Sequence, residues 1–135
     1  MSPAFRRLAL FLRVSAAILL LALVAVAMPH AWMDVIHGWL GLGPLAEQPM
    51  VAYLARSASA MYASLGALYL YLSYDLRRYL ALLRFLAGLK LAFGVAMLAL
   101  DVAVGMPLLW VAVEGPFILA WSLALLWLVR EAEKS

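Results

Sequence analysis

Residues 50–74 read MVAYLARSASAMYASLGALYLYLSY. A helix of about 25 residues crosses a bilayer core with some tilt. The stretch carries one charge, Arg56. It lies about six residues in, so roughly 9 Å deep at helical rise. An arginine there is costly unless it is paired or hydrated. Ser59, Ala63 and Gly66 or Ala67 recur every three or four positions, and such a row of small residues lets another helix approach closely. Tyr69, Tyr71 and Tyr74 gather at the far end, where an aromatic belt is expected.

The rest of the chain shares this character. Its 135 residues are 69% hydrophobic and 13% charged, whereas soluble domains are nearer half apolar and a quarter charged. The composition predicts one integral membrane domain over 1–135, an all-α fold of four transmembrane helices at about 8–28, 50–74, 80–104 and 107–129. The lipid bilayer is then its first partner. A net charge of +3 does not imply nucleic acid, because the basic residues sit at span ends and not in one patch. There is no cysteine, which excludes disulfides, thiolate metal sites and thiol redox chemistry, and iron–sulfur clusters are not expected. Arg6, Arg7 and the Ala25-Val26-Ala27 run have the form of a signal peptide. The apolar run from Leu8 is also long enough to span, and we read it as a retained first helix.

Between the first two spans, residues 30–40 have a helical period with two faces. Trp32, Ile36 and Trp39 fall on one side; His30, Asp34 and His37 fall on the other, at i, i+4 and i+7. Tryptophans on one face suit a short outer helix at the membrane interface. Gly38, Gly41, Gly43 and Pro44 loosen the chain that follows. In the third span, Gly88 and Gly94 are expected to thin the helix for packing, and Lys90 is awkwardly deep. In the fourth, Gly115-Pro116 follows Glu114, and the proline removes a backbone bond.

Arg6, Arg7, Arg13, Arg77, Arg78, Arg84, Arg130 and Lys134 all flank one membrane side. The other side's loops hold Asp34, Glu47 and both histidines, with no Lys or Arg. The positive-inside rule places both termini in the cytoplasm of a bacterial inner membrane. An even number of spans returns the same topology.

Three ionisable residues share the outer leaflet in this reading. Arg56 is ~9 Å deep, Glu114 is ~10 Å deep, and Asp101 is shallower on the same side. Intramembrane charges pair or face a hydrated cavity. Arg56 is expected to pair with Glu114, with Asp101 close by and Tyr53 offering a hydroxyl. That constellation would bind an anionic group at Arg56 and a cation or proton at the acids. The bland alternative is an ion pair that fixes helix register. His30, Asp34 and His37 are the second candidate, because neutral imidazole and carboxylate are metal ligands. Haem held by both histidines is not expected, since one short segment cannot grip opposite faces of a porphyrin.

The stretches MPHAWMDVIHGWLGLGPL, YLARSASAMYA and EGPF resemble small uncharacterised bacterial four-span membrane proteins. The arrangement is similar to DoxX-like proteins in architecture alone. The resemblance implies four helices and no particular activity. Three functions stay open. The first is a binding or transport-like protein with an outward-facing polar pocket, as a single chain or a homo-oligomer. The second is a non-catalytic subunit of a larger membrane complex. The third is an enzyme acting on a lipid or quinone, with Glu114 or Asp101 as acid or base.

Overall fold

The computed structural model describes residues 2–135. Six helices account for most of them: α1 (Pro3–Leu20), α2 (Ala22–Ala27), α3 (His30–Trp39), α4 (Pro49–Leu72), α5 (Leu76–Val104) and α6 (Leu108–Lys134). They form two compact units, one of residues 12–74 and one of residues 1–11 with 75–135.

Each boundary has a local cause. Pro3 opens α1, where its missing N–H is not needed, and Ser2 Oγ accepts from the Phe5 N–H at 3.4 Å. The helix therefore starts at residue 3, not near 8, because hydropathy marks the apolar core of a span and not its helical flanks. Leu21 stays right-handed at φ −59° and ψ −22°, and the Val24 N–H bonds back to its carbonyl at 3.0 Å. The irregularity is one tight turn between α1 and α2, which together make one apolar stretch, Pro3–Ala27.

Two glycines end helices in the same way. Gly41 (φ +74°) lets the Leu42 N–H reach the His37 carbonyl at 3.1 Å and the Gly41 N–H reach Gly38 at 3.0 Å. Gly105 (φ +74°) lets Met106 reach Asp101 at 2.9 Å and Gly105 reach Val102 at 3.3 Å. Both are Schellman closures, and the left-handed residue they require favours glycine. Asp75 starts α5 by accepting from the Arg78 N–H at 3.4 Å, so α5 begins at Leu76 and takes Arg77 and Arg78 into its first turn. Pro116 lies inside α6. It cannot donate to the Ala112 carbonyl, yet the helix continues to Lys134.

Three stretches are long and apolar enough to cross a membrane: Pro3–Ala27, Leu76–Val104 and Leu108–Lys134. Helix α4 has the length, at 24 residues, but not the mean hydropathy. Arg56, Ser57, Ser59, Ser64 and four tyrosines lower it. Apolar side chains on the outside support the membrane assignment. Leu10, Val14 and Ile18 run exposed along α1, and Leu21 continues them; Phe85, Leu89 and Phe93 do so along α5, and Leu109, Val113 and Phe117 along α6. Soluble monomers rarely expose apolar surface so continuously. These are the helices of a membrane protein.

Within each unit, glycine sets the closest approach. A Cβ on Gly66 of α4 would lie 2.9 Å from Leu19 Cβ, 3.0 Å from the Ala16 carbonyl and 3.1 Å from the Leu20 nitrogen. Helices α1 and α4 thus meet backbone to backbone. A Cβ on Gly115 of α6 would lie 2.8 Å from Leu98 Cβ and 3.2 Å from its Cα in α5. The nearest atoms to a Cβ on Gly94 of α5 would be side-chain atoms of Leu119 and Ile118. Gly88 differs from the expectation: nothing lies within 4 Å of where its Cβ would be, so it thins no interface.

Candidate functional site

The acids of the second unit are positioned by the turn that joins α5 to α6. Asp101 is three residues from the end of α5, and its carbonyl is the acceptor of the Gly105 closure. Chain reversal over Gly105-Met106-Pro107 then starts α6, and two turns along lies Glu114. The Glu114 carboxyl lies near enough to the Asp101 carboxyl for the two to interact electrostatically. Trp110, one turn earlier on α6, donates its indole N–H to Glu114 Oε2 at 2.6 Å. Asp101 is only 4% exposed. Its Oδ2 has no hydrogen-bond donor among the described residues.

These facts fit together chemically. Ionised carboxylates are acceptors only. Two of them in mutual reach cannot bond each other, and adjacent like charges in an apolar setting are strongly disfavoured. A single proton between them would supply the missing donor and remove one charge. A larger metal ion is a poorer match. Calcium takes six to eight oxygens and magnesium six, while this pair offers four, one already bonded to Trp110.

Arg56 and Tyr53 stand on α4 in the other unit. Arg56 is exposed, and its guanidinium donates to the Met28 carbonyl at 3.3 Å, the carbonyl at the end of α2. Tyr53 is exposed. The serines that accompany them are not idle ligands. Ser57, Ser59 and Ser64 each donate back to a carbonyl of their own helix, at Leu54, Ala55 and Ala60.

His30, Asp34 and His37 lie on α3 with the expected two faces. Trp32 and Trp39 are 62% and 80% exposed, while the three polar residues are half-buried. Their atoms are occupied with the following loop. Asp34 Oδ1 accepts from the Leu45 N–H at 2.6 Å. His37 Nδ1 lies 2.7 Å from the Gly43 carbonyl; a carbonyl only accepts, so Nδ1 carries the proton. His30 Nε2 is 3.8 Å from Glu47 Oε1. Among the described residues no group of three or more His, Asp or Glu side chains is placed to hold a metal ion. Asp34 and His37 clamp the turn onto the helix. Asp34→Ala should therefore free residues 41–48, at a cost of ~1.5–3 kcal/mol for a charged hydrogen bond. Limited proteolysis reads this directly: cleavage in that loop should accelerate several-fold, and an unchanged rate would deny the clamp.

Sequence reasoning missed two partners. Trp110 is four residues before Glu114, and that i, i+4 spacing was a usable signal. Lys90 sits over the Trp121 ring at 4.6 Å from its centroid, a cation–π contact that shields the ammonium within the α5–α6 pair. The short Gly105–Pro107 turn marks the two helices as neighbours, but nothing in the sequence marks this particular contact between them.

No protein-family model, no curated protein and no solved structure matches this chain.

Proposed function

We propose that the chain is a four-span bacterial inner-membrane protein, with both termini cytoplasmic, that binds a proton at Asp101 and Glu114. In this reading α4 is the second span despite its polarity, and α3 lies on the outer surface with its tryptophans in the interface. One observation carries the function: a carboxyl oxygen of Asp101 is buried without a hydrogen-bond partner among the described residues, with the Glu114 carboxyl on the next helix near enough to interact with it. Ionisable residues within membrane spans mark ion pathways and proton relays. In this topology the α5–α6 turn, and with it the pair, lies on the outer side. The reading rests on Asp101 and Glu114 alone; Arg56 and Tyr53 belong to the other unit and are not required by it.

A hydrophobic carbodiimide tests it, because that reagent modifies protonated carboxyls in apolar surroundings. In bilayers, labelling should fall on Asp101 or Glu114 and spare Glu47, Glu131 and Glu133, as peptide mapping would show. Labelling that avoids both, or marks all carboxylates alike, would refute the proposal.

A second reading, the accessory subunit of a larger membrane complex, is favoured by α4. Tyr53, Arg56, Ala60 and Ser64 fall at helical steps along one exposed face. Such a face suits a neighbouring protein helix better than lipid. Native mass spectrometry of gently released protein separates the readings: a co-released larger protein supports the subunit, and bare monomer or homo-oligomer opposes it.

A further inference from the structure

Three contacts within one unit gather the start of α1, the start of α5 and the end of α6. Ser2 Oγ and Ser135 Oγ are hydrogen-bonded at 2.9 Å. The Arg77 guanidinium lies over the Phe5 ring, 5.3 Å from its centroid. Arg84 pairs with Glu133. The acids at this end are already engaged. Asp75 accepts from the Arg78 backbone, Glu131 pairs with Lys134 at 3.1 Å, and Glu133 holds Arg84. Arg6, Arg7, Arg77, Arg78 and Arg130 keep no carboxylate partner among the described residues, and all five are exposed.

Five unpaired arginines on three adjoining helix ends define a specific chemistry. Guanidinium is a planar fork that bonds phosphate oxygens two at a time. Aromatic rings lie under two of them: Phe5 under Arg77, and Tyr79 under Arg78 at 5.6 Å. Such stacking holds a guanidinium in place. Below the arginines, Leu10 and Phe85 are 64% and 65% exposed. A ligand that met this surface in full would carry an anionic phosphodiester on top and hydrocarbon beneath.

We infer that this arginine cluster is a binding site for the headgroups of anionic phospholipids. The inference rests on the membrane placement proposed above and is independent of the acid pair. Lipid fits better than free phosphate because exposed apolar side chains continue directly from the charged end.

The test is lipid retention by the whole purified chain in detergent, read by native mass spectrometry. Phosphatidylglycerol and phosphatidylcholine with identical acyl chains are supplied in equal amounts. Phosphatidylglycerol should be retained preferentially. The combined Arg6→Gln, Arg7→Gln and Arg77→Gln variant should lose on the order of a hundredfold in affinity for it, at about one tenfold step or less per basic residue. The three Arg→Lys changes should lose less, and Arg56→Gln nothing. If the triple variant does not fold, Arg78→Gln with Arg130→Gln carries the same test. Equal retention of both lipids overturns the inference, as does a preference that survives these variants. Displacement of the lipid by millimolar inorganic phosphate would also overturn it in favour of a free-phosphate site. A chain that binds neither lipid and stays dispersed without detergent would instead refute the membrane placement.

Discussion

Asp101→Leu should raise the stability of the protein and abolish its carbodiimide labelling at the acid pair. The two effects are linked. Asp101 is buried, and apart from a proton shared with Glu114 its Oδ2 meets no donor among the described residues, so whenever that proton leaves, the oxygen is unsatisfied. An unsatisfied buried polar group costs ~1–3 kcal/mol, and more when charged. Leucine fills a similar space without that cost. Exchange of buried ionic groups for apolar ones is often neutral or stabilising by ~1–4 kcal/mol. Glu114 would then stand without its carboxyl neighbour, bonded to Trp110. Asp101→Asn and Glu114→Gln keep the shape and a hydrogen-bond donor, so each should hold the fold while removing the shared proton. The double change should do no more harm than either single change, since both act on one unit. Thermal unfolding in detergent, alongside labelling, separates roles. A register-fixing acid would destabilise the protein when lost, whereas one kept for function leaves it more stable.

Gly66→Leu should be the most damaging single change outside that pair. Even a Cβ at Gly66 would meet the Ala16 carbonyl and the Leu20 nitrogen at 3.0–3.1 Å. Those are backbone atoms of α1 and cannot rotate away. Alanine should therefore cost ~1–3 kcal/mol, in the usual range for overpacking, and leucine should cost more by forcing α1 and α4 apart. Gly94→Ala is the internal control, since its nearest neighbours are flexible ends of Leu119 and Ile118. Gly88→Ala, in open space, should gain ~0.5–1 kcal/mol through helix propensity. A ranking of unfolding temperatures with Gly66 lowest and Gly88 highest is the expected outcome. Equal values for Gly66→Ala and Gly88→Ala would contradict the close approach.

What the sequence could reveal follows from how local each cause is. The end of α5 was legible because Gly105 and Pro107 act within five residues. Its start was not, because Asp75 caps a turn that hydropathy reads as a polar flank. The two faces of α3 were legible from period alone. The duty of its polar face was not: a carboxylate and an imidazole that could ligate a metal are the same groups that can hold Leu45 N–H and Gly43 carbonyl. Depth counting placed Glu114 and Asp101 together near one membrane face, and the structure joins them through α5 and α6. It did not show that Asp101, named as the shallower acid, would be the buried one. That depends on which side of α5 faces α6, and the apolar residues of α5 between Leu91 and Leu100 cover every side of the helix. Helix α4 shows the opposite difficulty. Its length says span, while Arg56 and its tyrosines and serines lower its hydropathy below that of the other three stretches.

The most direct measurement is infrared difference spectroscopy of the protein in lipid bilayers, wild type against Glu114→Gln and against Asp101→Asn. A protonated carboxyl has a carbonyl stretch that an ionised carboxylate lacks. The account requires such a band in the wild type, shifted by deuterium exchange and missing from both variants. A wild-type spectrum without that band, or a band that persists in both variants, would mean that Asp101 and Glu114 hold no proton between them.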